Sequence, residues 1–164
     1  MLFRSGLSPK ENRDVPPLDY DLVMRMKQLF PNLHISINGG VANLDQALAL
    51  LDQGLDGVMI GRAAYHQPWD VLAGADTAVW GAPEEARTRE DVARAMMPYA
   101  QAHVEAGGKL AQVTRHMLGL FAGLPGARAW RRTLSEEATR PGADATLIET
   151  ALARPSRARI TNRV

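Results

Sequence analysis

Two glycine corners carry the first chemistry legible in this chain. Asn38-Gly39-Gly40 closes the apolar-rich run His34–Ile37, and Gly61-Arg62 closes the run Gly57-Val58-Met59-Ile60. Glycine at a strand end permits positive φ and lets backbone N–H groups come close to an anion. Two such corners followed by an arginine are what a phosphate site requires; two ordinary tight turns beside a solvated Arg62 would use the same residues. A second constellation is cationic. Arg115, His116, Arg128, Arg131 and Arg132 fall in the stretch 109–132, which holds no Asp or Glu. A patch without interspersed carboxylates is the electrostatic footprint of a phosphate-backbone contact, although arginines also decorate the solvated face of a helical bundle. Lys10 and Arg13 stand three residues apart in a polar, turn-rich stretch, and His66 stands near the second corner, where a structural histidine and a ligand contact are both open readings.

The elements that position these residues follow from period and punctuation. Asp19 or Asp21 can cap a helix through Leu22, Met26 and Leu29, ended by Pro31-Asn32. A strand at His34–Ile37, a helix with Leu44, Leu48 and Leu51 on one face and Ala47 filling it, and a strand at Gly57–Ile60 then form a βαβ unit. In parallel α/β folds ligands sit at the carboxyl ends of the strands, and in (β/α)8 barrels the loops after strands seven and eight commonly build the phosphate site. Gly74–Pro83 is loop-like and marks the domain boundary. Beyond it Thr88 caps a helix that Pro98 kinks, Leu110–Phe121 forms a second apolar stripe, and 127–138 forms a third helix with Ala127, Trp130 and Leu134 on one face. Asp144 caps a short last helix through Leu152. Residues 154–164 hold Arg154, Arg157, Arg159 and Arg163 with too little apolar content to fold alone, and are expected to be a disordered basic tail. The predicted domains are 1–75, 76–153 and this tail.

Composition bounds the rest. The length of 164 residues suits one domain or two small ones, and an apolar fraction of 46% allows a buried core. A net charge of +1 argues against wholesale polyanion binding and leaves only local patches. The chain has no cysteine, which excludes disulfides, thiolate metal sites and a thiol acid within it, and favours the cytoplasm. No apolar run reaches membrane-spanning length and no secretory signal is evident. The expectation is a cytoplasmic protein without membrane or metal partners.

Together these pieces resemble the tRNA-dihydrouridine synthases, of the subfamily A type. The matching residues are GLSPKENR at 6–13 with Pro16-Pro17-Leu18, INGG at 37–40, DGVMIGRAAYHQP at 56–68 and RHMLGLFAGLPGARAWRRTLSE at 115–136. The resemblance implies a flavin-binding TIM (β/α)8 barrel followed by a small all-helical tRNA-binding domain. It implies that Asn38, Gly39, Gly40, Gly61 and Arg62 hold the FMN phosphate, and that Lys10, Arg13, Arg128 and Arg131 contact tRNA. It also implies the family's reaction at positions 20 and 20a: reduction of the C5=C6 bond of a D-loop uridine, with NADPH as reductant, FMN as hydride carrier and a cysteine as acid.

The chain departs from that pattern. The acid is absent, and the barrel strands that precede GLSPKENR in the family are missing. Two parallel strands cannot close a barrel, and one face of their sheet stays open. The chain is therefore expected to be a C-terminal fragment, α/β then helical, inactive alone. A non-catalytic tRNA-binding module is the alternative, and a half-barrel that assembles with a separate N-terminal chain or with itself is a third reading.

Overall fold

Short parallel strands and helices build the first part of the chain, and helices alone build the second. The structure, a computed structural model, describes residues 18–84 and 86–161, with side chains to Arg154. It divides into two compact units. The first holds the described residues to Val41 together with Asp45–Ile60; the second holds Ala42–Leu44 and the described residues from Gly61 onward.

In the first unit, helix α1 (Tyr20–Leu29) starts where Asp19 accepts a hydrogen bond from the Leu22 N–H at 2.9 Å. Strand β1 (Ser36–Asn38) runs into helix α2 (Leu44–Asp52), which returns the chain to strand β2 (Gly57–Met59). The strands pair in parallel with Ser36 opposite Gly57, Ile37 opposite Val58 and Asn38 opposite Met59. At the amino end of this sheet Lys27 Nζ bonds the Pro31 and Leu33 carbonyls and reaches Asp56 Oδ2 at 2.7 Å. The same carboxylate accepts the Ile35 N–H, which with Lys27 lowers the Asp56 pKa below its ordinary value of 3.8. The core is Ile37, Val41, Ala47, Leu50 and Leu55, flanked by Tyr20, Val23, Met24, Ile35, Val58 and Ile60.

Two expected faces are corrected here. The stripe Leu22, Met26 and Leu29 of α1 is exposed, Leu29 by 70%, while Tyr20, Val23 and Met24 turn to the core. On α2 Ala47 is buried as expected and Leu50 joins it, while Leu44, Leu48 and Leu51 are only half-buried. Helical periodicity marks an apolar stripe, but what lies against it decides which residues are buried.

The second unit opens with three short helices, α3 (Arg62–His66), α4 (Pro68–Leu72) and α5 (Ala75–Trp80). Helix α5 replaces the loop expected at 74–83. Gly81 ends it in the left-handed conformation at φ 65°, donating its N–H to the helix's last turn; the glycines that punctuate this stretch bound a helix rather than dissolve one. Helix α6 (Arg89–Ala95) begins with Thr88 and Asp91 in a reciprocal capping box. The bend expected at Pro98 is an interruption at Met96, which keeps right-handed helical dihedrals, after which α7 (Met97–Glu105) starts with proline in its first turn.

The stripe expected to be one helix over 110–121 is helical only in α8 (Leu110–Thr114) and continues as tight turns to Leu124. Two tertiary demands account for this: the Met117 carbonyl accepts the Trp130 indole N–H at 3.0 Å, and Gly119 lies against the backbone of Tyr65 and His66. Helix α9 (Ala127–Glu136) and helix α10 (Thr146–Thr161) complete the unit, Asp144 accepting the Thr146 N–H at 2.9 Å. The backbone of α10 runs on past residue 154, where the sequence places the start of a tail; residues 162–164 lie outside the described residues. Trp130, Leu110, Leu134, Ile148, Ala93 and Ala100 form the centre of the helical core, with Phe121 tilted against Trp130 at 4.8 Å between ring centroids.

Candidate functional site

The first corner follows directly from β1. Gly39 and Gly40 take φ of 128° and 70°, a region that L side chains rarely adopt. The space beside them is also taken. A Cβ on Gly39 would stand 2.7 Å from Leu18 Cδ2, and one on Gly40 would stand 2.7 Å from Leu18 Cδ1 and 2.8 Å from Tyr20 Oη. Tyr20 donates its hydroxyl to the Gly39 carbonyl at 2.6 Å, so the start of α1 clamps the turn from behind. Asn38 and Gly40 are exposed and Gly39 is half-buried. Because Asn38 pairs with Met59, the corner sits at the carboxyl end of both strands, the end at which parallel sheets place their ligands.

The second corner belongs to the other unit. Gly61 caps α3 and Arg62 is that helix's first residue, and both are exposed. The first unit thus brings Asn38, Gly39 and Gly40 together on one turn, while Gly61 and Arg62 open the second unit. The first turn taken by itself suits a phosphate group, with two glycines at positive φ beside an exposed asparagine. Gly61, at φ −99° with open space beside it, has no such need of glycine, and Arg62 is an exposed guanidinium on its own unit. Among the described residues no cluster of three or more His, Cys, Asp or Glu could hold a metal, and no helix is long and apolar enough to cross a membrane.

The cationic candidates lie on helix α9 and the turns before it. Ala127, Trp130, Thr133 and Leu134 face the core, which leaves Arg128, Arg131 and Arg132 exposed on the outer side. Arg132 lies 3.8 Å from Glu136, an exposed pair of the kind that contributes little to stability. Arg154 from α10 bonds Thr133 Oγ1 at 2.6 Å and also Glu137, and that guanidinium lowers the Glu137 pKa. Arg115 donates from Nε to His116 Nε2 at 3.0 Å. Lys10 and Arg13 lie outside the described residues.

Two contributors escaped the sequence. Tyr20 holds the glycine corner from nineteen residues away, and no local signal links the two. Tyr65 meets His116 edge to face, with centroids 5.7 Å apart. Only the small residue at Gly119 hinted at a close approach there.

Comparison with known proteins identifies the family. A family model described as dihydrouridine synthase matches residues 4–155. The tRNA-dihydrouridine(20/20a) synthase of Shewanella oneidensis is 54% identical over 146 residues, covering 89% of this chain and 43% of that protein. The enzyme of the same name from Escherichia coli K12 is 51% identical over 148 residues, covering 90% of this chain and 42% of that protein. That of Vibrio cholerae is 50% identical over 150 residues, covering 92% and 45%. The chain thus spans less than half the length of the curated relatives it matches.

Proposed function

This chain belongs to the dihydrouridine synthase family, and from that membership we propose that it supplies the cofactor-phosphate corner and the tRNA-docking surface of a flavin-dependent tRNA-dihydrouridine(20/20a) synthase. The observation that carries the reading is the Asn38-Gly39-Gly40 turn, built with positive φ at the carboxyl end of two parallel strands. In this reading the chain to residue 75, with α1, β1, α2 and β2, belongs to the last units of a TIM (β/α)8 barrel, and residues 76–153 are the tRNA-binding domain.

Asn38, Gly39, Gly40, Gly61 and Arg62 would hold the FMN phosphate. When bound, FMN supplies the redox chemistry that passes reducing equivalents from NADPH to uridine, chemistry that no side chain can supply. The protein's own contribution is positional. Leu18 and Tyr20 keep the Gly39–Gly40 turn open to an anion by filling the space behind it. Arg128 and Arg131, with Lys10 and Arg13, neutralise backbone phosphates and so set the register of the RNA. A uridine in a folded loop must leave its stack to be reduced, and a fixed register presents it. The chain holds no cysteine, so it provides no thiol acid and is expected to be inactive alone, and that composition favours a cytoplasmic setting. A second reading, a tRNA-binding module without catalysis, draws on that same cysteine-free composition and on the extensive core beneath the α9 arginines.

Titration of the chain with unmodified tRNA and, separately, with FMN tests both. Salt-sensitive tRNA binding is expected, with the slope of log K against log salt falling by about one for each of Arg128→Ala and Arg131→Ala. FMN binding weakened by Arg62→Ala supports the synthase reading, and tRNA binding with no affinity for FMN supports the module. Absence of tRNA binding at low salt sinks both.

A further inference from the structure

We propose that Tyr65 and His116 form a stacking platform for an unpaired nucleobase, with Arg115 placed to meet the adjoining phosphate. The proposal rests on the tRNA reading above and adds a base-contacting point that neither the glycine corners nor the α9 arginines provide.

The platform is assembled by backbone contact. Helix α3 ends at His66, and its last carbonyls lie against Gly119 in the turns after α8. A Cβ at Gly119 would run into the carbonyls of His66 and Tyr65, so only glycine lets the two segments close to this separation. The closure brings the Tyr65 ring to 5.7 Å from His116, at an interplanar angle of 78°. The ring also stands 5.5 Å from His66, at 80°. Arg115 Nε donates to His116 Nε2 at 3.0 Å, which places the imidazole proton on Nδ1 and fixes the ring's orientation.

These rings are not core. Tyr65 is 51% exposed, and His66, His116 and Arg115 are exposed as well. An aromatic group contributes to folding chiefly through the area it buries. Three rings ordered by a glycine contact and a hydrogen bond, yet left in water, stabilise little by themselves. What they offer is π-surface held in place beside positive charge. Arg115 adjoins His116, Arg62 precedes Tyr65 by one helical turn on α3, and the whole stretch 109–132 has no carboxylate. Aromatic rings interleaved with guanidinium groups are the means by which proteins hold unpaired bases, because every base has a π-face and a flanking phosphate.

The test uses the 164-residue chain with unmodified tRNA over a salt series, comparing Tyr65→Ala, Tyr65→Phe and Arg131→Ala. Tyr65→Ala is expected to weaken binding about tenfold at every salt concentration with the slope unchanged, and Tyr65→Phe to stay within about twofold, because stacking needs the ring and not the hydroxyl. Arg131→Ala should lower the slope instead. Unaltered affinity in Tyr65→Ala, alongside the slope change in Arg131→Ala, overturns the platform and leaves the tRNA reading intact. A parent chain that binds no tRNA overturns both. In unmutated protein, photo-crosslinking of tRNA bearing 5-iodouridine should mark Tyr65 or His116; crosslinks confined to α9 would refute the platform without any question of folding.

Discussion

The two units draw on the same kind of amphipathic sequence and bury it to different degrees. In the helical unit the apolar stripes of α6 to α10 converge on Trp130, whose ring is fully buried and whose N–H finds a carbonyl. In the sheet unit, α1 presents Leu22, Met26 and Leu29 to solvent, and Phe30, Leu33 and Met59 are exposed as well. A two-stranded sheet has too little area to cover a helix on more than one side, and sheets that small are marginal without a packed layer. The candidate phosphate turn thus sits on the less buried unit, and the candidate docking arginines sit on the better buried one. A binding surface that must keep several charges in register benefits from a rigid base, and α9 has one.

The largest change that breaks this contrast is Trp130→Ala. It removes the centre of the helical core and should cost about 3–5 kcal/mol, seen as loss of the helical unit's cooperative transition in denaturant unfolding. Next comes the glycine turn. Gly39→Ala places a side chain at φ 128° against Leu18, and should cost about 1–3 kcal/mol and abolish FMN binding while leaving tRNA affinity unchanged. Paired tRNA and FMN titrations check it, and equal loss of both ligands would deny the units their separate roles. Tyr20→Phe removes the hydrogen bond to the Gly39 carbonyl, with an expected cost of about 1 kcal/mol read from the shift in chemical unfolding.

The pair Lys27–Asp56 should matter less, and with a definite sign. Asp56 has its pKa lowered on folding by the Ile35 N–H and Lys27, so its stabilisation is full above the ordinary value of 3.8 and fades as pH falls through the lowered folded value. Asp56→Asn should flatten that acid limb in a melting-temperature series and change nothing near neutrality in its slope. Smallest of all, Leu22→Ser on the exposed stripe should shift stability by less than about 0.5 kcal/mol, measured beside Trp130→Ala; a large loss would mean the stripe is covered in solution.

Much of this is legible in the amino-acid sequence alone. The βαβ order, the Thr88 cap and the inward face of α9 all follow from local chemistry, because capping side chains and a 3.6-residue period act within a few residues. For α1 the structure picks Asp19 of the two caps offered, Asp19 and Asp21. Gly39-Gly40 is legible as a corner, since a tight turn after a strand calls for the positive φ that glycine supplies. Features built from distant residues were not legible. The 110–121 stripe could not announce that Trp130 would take the Met117 carbonyl, nor could Gly74–Pro83 announce a helix between its glycines.

By itself the sequence determined most of the element types, the family and the residues available for chemistry, all of them properties of short stretches. Tertiary structure alone decided which face of α1 meets the core, that Tyr20 braces the Gly39 turn, and that Gly119 admits α3 so that Tyr65 meets His116. The physical reason is separation along the chain. Contacts between residues twenty or fifty positions apart leave no local pattern, because they are selected by the packing of whole elements and not by neighbouring side chains.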